Sequence, residues 1–383
     1  MTNSSDVIVL GGGIVGAACA FYLAREGVRV TTLEAGRLIA GTSRACDGLL
    51  LLWDKVNDPE FELARKSFRL WHQLAGELGD GADDALEFTV SGCLALAKDA
   101  AQREAMETIR AKMVRWGIPS EVEWLEPEEI PRLEPHVARD LAGALYFPND
   151  MMVDARRATM TLHHRAVAAG ARLIDGLGDL RLIAEGDAVN GVAGRDGEYR
   201  ADCVVVAAGA WTPLLLRPLG LQIGIRPRKG HILVVEKGPP LFRIPLMDTG
   251  YVATVESRAE SLQIGLILEG TMHGSILVGA SREYVGYDRT INPVAIGGLA
   301  RNMVRFLPAL AQRRIIRTYA GLRPASDDRR PFIGPHRARR GLYVAAGHEG
   351  AGITLSLATG KMIADMITGR ETFMDPASFD PAR

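Results

Sequence analysis

A glycine-rich turn between a short apolar run and a helical stretch constrains the fold of this chain more than any other feature. Val7 to Leu10 has the composition of a buried strand, and Gly11-Gly12-Gly13-Ile14-Val15-Gly16 follows directly. In such a strand-turn-helix unit, Gly11 permits the tight turn, Gly13 lets the backbone approach a pyrophosphate, and Gly16 lets the helix pack closely on the strand. The sequence therefore predicts a parallel α/β domain that binds an adenine dinucleotide.

The next predicted strand supports this interpretation and ends on an acidic residue. Arg29 to Leu33 reads as a strand, and Glu34 follows it, 18 residues after Gly16. A carboxylate at this position accepts hydrogen bonds from a ribose 2'-hydroxyl and repels a 2'-phosphate. The N-terminus of the intervening helix directs its partial positive charge at the phosphates. NAD and FAD share this fingerprint, so it does not choose between them.

Three later segments favour FAD. The first is a loop of small residues, the second a strand that ends in small residues, and the third a second glycine-rich turn from a strand into a helix: Gly41 to Leu49, Asp202 to Trp211, and Gly341 to Thr354 with a helix from about Thr354 to Ile367. A second helix N-terminus suits the N1-C2=O region of a flavin, which gains negative charge on reduction. NAD does not require one.

With these segments, the chain resembles the D-amino-acid-oxidase-like flavoprotein superfamily, which includes glycine oxidase, sarcosine oxidase and D-amino-acid dehydrogenases. The resemblance extends from Val7 to Ile367. Within the superfamily, Arg228-Lys229-Gly230-His231 and Gly274 to Asp288 look like the flavin-carrying beta subunits of opine oxidases, D-hydroxyproline dehydrogenases and hydrogen cyanide synthase.

The resemblance implies an α/β fold with an α+β substrate domain. A discontinuous Rossmann-like FAD-binding domain would comprise residues 1–85, 150–220 and 318–383, and a substrate domain built on a large mixed β-sheet would comprise residues 86–149 and 221–317. Alternating apolar residues predict that the strands of this second sheet include Cys93 to Ala97, Ile232 to Val235 and Ser275 to Val278.

The resemblance also assigns residues to the cofactor, from its adenosine half to the pyrimidine end of the flavin. In chain order they are Gly11, Gly13, Ile14, Val15, Gly16, Glu34, Ala35, Thr42, Ser43, Arg44, Asp47, Gly48, Leu49, Leu180, Ala208, Gly209, Trp211, His348, Glu349, Gly350, Ala351, Gly352, Ile353 and Thr354. In sarcosine oxidase a cysteine attaches the flavin. This chain has no cysteine after Cys203, so we expect FAD to be bound without a covalent bond.

Two residues are expected to act on the substrate. Arg323, in Thr318 to Pro324, matches the family arginine that binds the substrate carboxylate, and a guanidinium makes two parallel hydrogen bonds to such a group. Tyr251 matches a tyrosine that can point over the flavin, or else is a half-buried strand residue. Glycine oxidase uses a second arginine for the substrate, at the position that is Gly350 in this chain. Either a bulkier substrate occupies the space that the missing side chain leaves, or the carboxylate is bound more weakly. His231 is expected to be a core histidine with satisfied hydrogen bonds.

The resemblance implies oxidation of an amino acid or of a secondary-amine amino acid of the opine, hydroxyproline, proline or sarcosine type. A hydride would pass from Cα-H to flavin N5, giving an imine that water hydrolyses. The chain would be the beta subunit of a hetero-oligomeric dehydrogenase whose partners are an alpha subunit, with or without an iron-sulfur subunit. Two alternatives remain open: a self-sufficient oxidase that produces hydrogen peroxide, and a flavin electron-relay subunit without an amine site.

Composition excludes several other classes of function. The 45 Lys and Arg residues balance 46 Asp and Glu residues, which argues against a nucleic-acid partner. The four cysteines are far apart and lack metal-ligand spacing, so no metal site is predicted. No apolar run reaches the roughly 18 residues of a membrane span, and the polar N-terminus lacks a secretion signal, so we expect a cytoplasmic protein.

Overall fold

Two large β-sheets covered by helices form the framework of the protein. The computed structural model describes residues 4–55, 57–118, 121–257 and 259–383. The helices are α1 Ile14–Arg25, α2 Asp58–Leu78, α3 Ala82–Leu86, α4 Ala100–Arg115, α5 Ile130–Leu133, α6 Ala155–Ala168, α7 Thr212–Leu216, α8 Gly250–Glu256, α9 Pro293–Phe306 and α10 Gly352–Ile367. The strands are β1 Ser4–Leu10, β2 Val30–Leu33, β3 Leu49–Leu50, β4 Cys93–Ala97, β5 Glu123–Leu125, β6 Gly143–Phe147, β7 Met151–Met152, β8 Arg172–Ile174, β9 Arg181–Glu185, β10 Ala188–Gly194, β11 Gly197–Val206, β12 Ile225–Val235, β13 Leu246–Asp248, β14 Gln263–Gly270, β15 Ile276–Arg282, β16 Ile315–Ser326, β17 Phe332–Pro335 and β18 Leu342–Ala346.

The first sheet contains the predicted dinucleotide fold. Its main path runs in the order β17-β18-β11-β1-β2-β8, and β9 and β10 extend it beside β11. Strand β1 pairs in parallel with both β11 and β2, and β11 pairs in parallel with β18. The predicted strand-turn-helix-strand unit is confirmed, with α1 beginning at Ile14.

Both faces of this sheet are buried, which explains the uninterrupted apolar run in β1. Val7 and Val9 point into a core shared with α1, α2, α6 and α10. Ile8 and Leu10 point into a second core on the opposite face, formed mainly by β10, β11 and β18. Successive side chains of a strand alternate between faces, so only an apolar run suits a strand covered on both sides.

The second sheet is mixed, as predicted. Its order is β16-β12-β15-β14-β13-β4-β6-β5, antiparallel except where β13 and β4 run parallel. The predicted strand Cys93–Ala97 is β4, whereas the other two predicted strands correspond to parts of the longer β12 and β15. Helix α9 packs on one face, and α4 packs on the other.

One strand of the second sheet spans a predicted domain limit. Strand β16 starts at Ile315 and ends at Ser326, so it crosses the predicted limit at residue 318. The domain limits themselves remain predictions. Within the described ranges, no helix combines the length and apolarity that crossing a membrane requires, and no cluster of three or more His, Cys, Asp or Glu residues has metal-binding geometry.

Candidate active site

A cleft of about 650 Å³ extends from the carboxyl ends of β1 and β2 to the second sheet. Its lining includes most of the residues predicted to bind the cofactor or substrate: Gly11, Gly13, Ile14, Val15, Glu34, Ala35, Thr42, Ser43, Asp47, Leu180, Ala208, Gly209, Trp211, Tyr251, Arg323, His348, Glu349, Gly350, Gly352 and Ile353. Residues more than 300 positions apart in the sequence therefore meet in one cavity.

The glycine turn leaves bare backbone at one end of the cleft. Gly11 has a φ of +121°, and a Cβ there would lie 2.5 Å from the carbonyl oxygen of Ala207. A Cβ on Gly16 would lie 2.0 Å from the carbonyl oxygen of Gly11. Both positions therefore require glycine, the first for its conformation and the second for close helix packing. Ser43 Oγ accepts a hydrogen bond from the Ile14 amide at 3.0 Å and so caps α1.

Glu34 lies at the end of β2 and borders the cleft. Its Oε2 accepts a hydrogen bond from the Gly12 amide at 2.8 Å, and its Oε1 accepts one from the Gly36 amide at 2.9 Å. These bonds fix the direction of the carboxylate. Each carboxylate oxygen has two acceptor sites, so Glu34 retains the capacity to accept hydrogen bonds from a ribose hydroxyl.

The second helix N-terminus also reaches the cleft. Helix α10 has no side-chain cap, and its first residues, Gly352 and Ile353, line the cavity, so its N-terminal amides face a potential anion. The buried ring of His348 bonds through Nε2 to Thr359 Oγ1 at 2.9 Å. Burial lowers the pKa of His348 to about 3, so this ring is neutral near pH 7.

Six of the predicted cofactor residues lie outside the lining of the cleft: Gly16, Arg44, Gly48, Leu49, Ala351 and Thr354. Arg44 is exposed, and Leu49 and Thr354 are buried in strand β3 and helix α10. Gly48 stabilises the loop instead of contacting the cleft. Its amide donates to Glu269 Oε2 at 2.7 Å, and a Cβ at this position would lie 1.8 Å from the Val153 carbonyl oxygen.

These features fit FAD. The bare glycine backbone and the N-terminus of α1 suit a pyrophosphate, the Glu34 carboxylate suits a ribose, and the uncapped start of α10 suits the pyrimidine edge of a flavin. The lining of the cleft includes both the glycine turn and Arg323, so one cavity connects the predicted cofactor and substrate positions.

Arg323 lies at the substrate end of the cleft, on β16. Its Nη1 donates to the Ser281 carbonyl oxygen at 2.9 Å. The guanidinium lies against Gly230 of β12, where a Cβ would be 2.1 Å from Nη1. Glycine at position 230 is therefore required for this orientation of Arg323, which explains one residue that the sequence analysis quoted without a role.

Tyr251 also reaches the substrate end, but from helix α8 rather than from a strand, so the strand alternative is wrong. Only 6% of Tyr251 is exposed, and the Arg282 guanidinium carbon lies 4.4 Å from its ring centroid. Burial raises the pKa of the Tyr251 phenol, which keeps the hydroxyl neutral near pH 7.

Two buried arginines, Arg228 and Arg282, belong to the site although the sequence did not predict a role for them. They line a smaller cavity of about 230 Å³, which shares Tyr251 and Glu349 with the cleft. Burial works to raise the pKa of Glu349, but Arg282, Arg323 and Arg228 together hold this pKa below its ordinary value. A signal was available only for Arg282, which ends the largely apolar strand β15; Arg228 lies in β12 among other basic residues and had none.

His231 has the role expected of it. The side chain is fully buried, Nδ1 bonds to Ser281 Oγ at 2.8 Å, and Nε2 accepts from the Asn292 amide at 3.1 Å. Burial lowers the pKa of His231. It is a core histidine that orients Ser281, whose carbonyl in turn holds Arg323.

Comparison with known proteins gives one family for nearly the whole chain. A family model described as FAD dependent oxidoreductase matches residues 6–366. Glycine oxidase of Geobacillus kaustophilus is 32% identical over 388 residues, covering 100% of this chain and 98% of that protein. Hydrogen cyanide synthase subunit HcnC of Pseudomonas aeruginosa is 28% identical, covering 100% of this chain and 97% of that protein.

Solved structures agree with the sequence comparison. The glycine oxidase from Geobacillus kaustophilus superposes with a TM-score of 0.88 at 29% identity, covering 99% of each chain. L-proline dehydrogenase from P. horikoshii gives a TM-score of 0.87 at 25% identity, covering 100% of this chain and 98% of that one. Iminodiacetate oxidase from Chelativorans sp. BNC1 gives a TM-score of 0.85 at 25% identity, covering 98% of each chain.

Proposed function

Because the chain belongs to the family of FAD-dependent oxidoreductases, its cofactor is FAD, and we propose that it oxidises the Cα-N bond of an amino acid with a secondary amine. Oxidation of amino acids or amines is the activity named for glycine oxidase, L-proline dehydrogenase and iminodiacetate oxidase. Sarcosine, proline, hydroxyproline and opines are the candidate substrates. Bound FAD supplies the acceptor for the hydride that leaves Cα.

The observation that carries this proposal is the placement of Arg323 beside Tyr251 at the end of the cleft. Arg323 would bind the substrate carboxylate, and its contacts with Ser281 and Gly230 hold the guanidinium in a fixed direction. Fixing one end of a small substrate orients the hydrogen on Cα, which is the main contribution a protein makes when a cofactor performs the chemistry. Tyr251 would cover the substrate as a neutral, buried phenol.

The proposal assigns the cleft residues around Gly13, Glu34 and Gly352 to FAD, without a covalent bond. Cys46 lines the cleft, but its thiol donates to the Ser43 carbonyl oxygen at 3.5 Å. Burial raises the pKa of the Cys46 thiol, and a thiol that stays protonated is a poor nucleophile. A protein denatured with acid should therefore release all its flavin into the supernatant.

We propose in addition that the chain works as the beta subunit of a hetero-oligomeric dehydrogenase in the cytoplasm. Support comes from the likeness to hydrogen cyanide synthase subunit HcnC, which is named as one subunit of an enzyme. The other subunits would accept electrons from the flavin. The second candidate function is a self-sufficient oxidase that passes electrons to O2, and the likeness to several glycine oxidases supports it.

The test is a visible spectrum of the purified holoprotein under anaerobic conditions, with sarcosine, proline, hydroxyproline isomers, glycine and opines added in turn. Bleaching of the oxidised-flavin band by a secondary amine supports the proposal. Bleaching by none of them contradicts it and favours a relay subunit. Oxygen consumption by the isolated chain then separates the two functions, because only a self-sufficient oxidase turns over without a partner.

A further inference from the structure

The small cavity beyond the cleft holds more positive than negative charge. Arg228 and Arg282 are 2% and 1% exposed, and Arg323 approaches from the cleft. Glu349 faces all three, but its Oε1 lies 3.4 Å from Arg228 Nη1 and 3.6 Å from Arg282 Nε. Charge-assisted hydrogen bonds are usually about 2.7–2.9 Å long, so one carboxylate is shared loosely among three guanidiniums.

The other carboxylates of the cavity wall serve other cations. Asp54 bonds to the buried Lys55 ammonium at 2.5 Å, and Glu60 adds to the negative charge beside that ammonium. At the mouth, Asp327 lies 3.6 Å from Arg226. Among the described residues that line this cavity, Glu349 is therefore the carboxylate that Arg228 and Arg282 share, which leaves an excess of about one positive charge there. Arg323 lines the cleft, where Asp47 is also present.

Arg282 presents an unused hydrogen-bonding edge. Its Nη1 donates to Thr254 Oγ1 at 2.6 Å, whereas Nε and Nη2 have no hydrogen-bond partner in the described part of the chain. These two nitrogens form the edge of the guanidinium that makes two parallel hydrogen bonds to a carboxylate. Arg228 differs, because its Nη2 already donates to the carbonyl oxygens of Thr254 and Ser257.

Arg282 and Arg323 border the same space. A Cβ on Gly350 would lie 4.0 Å from Arg282 Nη2 and 3.8 Å from Arg323 Nε. Glycine at position 350 adds no side chain to this space, and two guanidiniums of the second sheet face it, with the Glu349 carboxylate 3.6 Å from Arg282 Nε. A ligand between them meets a cation at each end.

We infer that Arg282 binds a second carboxylate of the substrate, with Arg228 adding positive charge behind it. The substrate class is then a secondary amine that carries a carboxylate on each side of the nitrogen, of which iminodiacetate is the smallest member. Arg323 holds the carboxylate next to the carbon that is oxidised, and Arg282 holds the other one. This inference rests on the proposed function and narrows its substrate.

The first experiment measures binding to the holoprotein by titration calorimetry. Thiodiacetate and its homologue with one more methylene are compared with (methylthio)acetate, since sulfur replaces the amine in all three and none can be oxidised at a Cα-N bond. We expect the better dicarboxylate to bind at least about tenfold more tightly than the monocarboxylate. If neither dicarboxylate binds more tightly than (methylthio)acetate, the inference is wrong. This outcome is decided on the unchanged holoprotein.

The second experiment uses Arg282→Gln. We expect the dissociation constant of the dicarboxylate to rise about 30-fold while that of (methylthio)acetate changes less than about twofold. Arg282→Lys should keep part of the preference because it keeps the charge. Arg314→Gln is the matched control, since Arg314 is 85% exposed on the protein surface. Equal weakening of both ligands by Arg282→Gln would mean that Arg282 only positions Tyr251 and α8, and would overturn the inference.

Anaerobic flavin reduction separates this inference from the proposed function. Faster reduction by iminodiacetate than by sarcosine supports both. Reduction by sarcosine with none by iminodiacetate overturns the inference and leaves the proposed function standing. Tight binding of thiodiacetate without reduction by any secondary amine contradicts the proposed function, whereas the carboxylate site at Arg282 stands.

Discussion

The two ends of the cleft are built by different means. The cofactor end consists mainly of backbone: four glycines within six residues leave the amides accessible and let helix α1 pack closely, and one carboxylate orients the turn. The substrate end consists of side chains, supplied by β12, β15, β16, α8 and the turn before α10. A local segment of sequence therefore specifies the first end, whereas the second exists only when distant strands pair in the correct register.

The difference between the two ends predicts which substitutions impair both FAD binding and amine oxidation, and which impair amine oxidation alone. Substitutions in the glycine turn should affect FAD binding and, through it, every later step. Substitutions at the substrate end should leave FAD in place and affect only the amine. Four changes test this separation.

Gly16→Ala should have the largest effect. The new methyl group would lie 2.0 Å from the Gly11 carbonyl oxygen, so α1 must move away from β1. We expect a loss of roughly 1–3 kcal/mol in the free energy of unfolding and little FAD in the purified protein. Flavin absorbance per protein and urea unfolding measure the two effects. Gly76→Ala in α2 is the control, since nothing lies within 4 Å of its Cβ; full FAD occupancy in Gly16→Ala would contradict the prediction.

Arg323→Gln should reduce the rate of flavin reduction by the best substrate about 100-fold, because the amide makes weaker and fewer hydrogen bonds to the carboxylate and orients the substrate poorly. FAD content should equal that of the unchanged protein. Anaerobic stopped-flow absorbance measures the rate. Arg317→Gln, at an exposed position on the same strand, serves as the control. If Arg323→Gln also lost its FAD, the two ends would not be separable.

Gly230→Ala should act through Arg323 and have a smaller effect. Its methyl group would lie 2.1 Å from Arg323 Nη1 and displace the guanidinium from the Ser281 carbonyl. We expect flavin reduction to slow about tenfold with FAD retained. The double variant Gly230→Ala/Arg323→Gln should be no slower than Arg323→Gln alone, because both changes remove the same interaction. If the two reductions in rate multiplied in the double variant, Gly230 would act independently of Arg323.

His348 should make a pH-dependent contribution to the stability of the folded protein. Its folded-state pKa of about 3 lies below the ordinary value of 6.5, so only the unfolded chain gains a proton as the pH falls from 6.5 towards 3, and the folded state loses stability over that interval. His348→Gln should therefore lower the free energy of unfolding less at pH 5.0 than at pH 7.5, and the two losses should differ by at most about 2 kcal/mol. Urea unfolding at both pH values measures it. A cost that does not change with pH would mean that the pKa of His348 in the folded protein is close to its ordinary value.

The sequence predicted the fold well wherever the pattern was local. Strand β1, the start of α1 and strand β18 lie within a few residues of their predicted positions, and α10 begins at Gly352 instead of about Thr354. The reason is that glycine turns and apolar runs specify these elements directly. The limits of the two domains remain predictions.

The substrate end was harder to predict, for a physical reason. Arg282 occupies the last position of β15, and whether its side chain faces solvent or the cavity depends on the pairing of β15 with β12 and β14. Tyr251 reaches the site from α8, a helix of seven residues that is too short to show periodicity. Arg323 was recognised only by its resemblance to a family segment, since one arginine among many carries no local signature.

The contacts that join the two ends of the cleft also determine when the cleft can form during synthesis of the chain. Thr42 Oγ1 donates to the Leu322 carbonyl oxygen at 2.6 Å, and a Cβ on Gly321 would lie 2.6 Å from the Ala45 Cβ, so the loop after β2 rests on a strand synthesised much later. Strand β18 and helix α10 come later still. A nascent chain that has left the ribosome with its glycine turn therefore has only part of the cleft, whose lining is complete only after Ile353 has been synthesised.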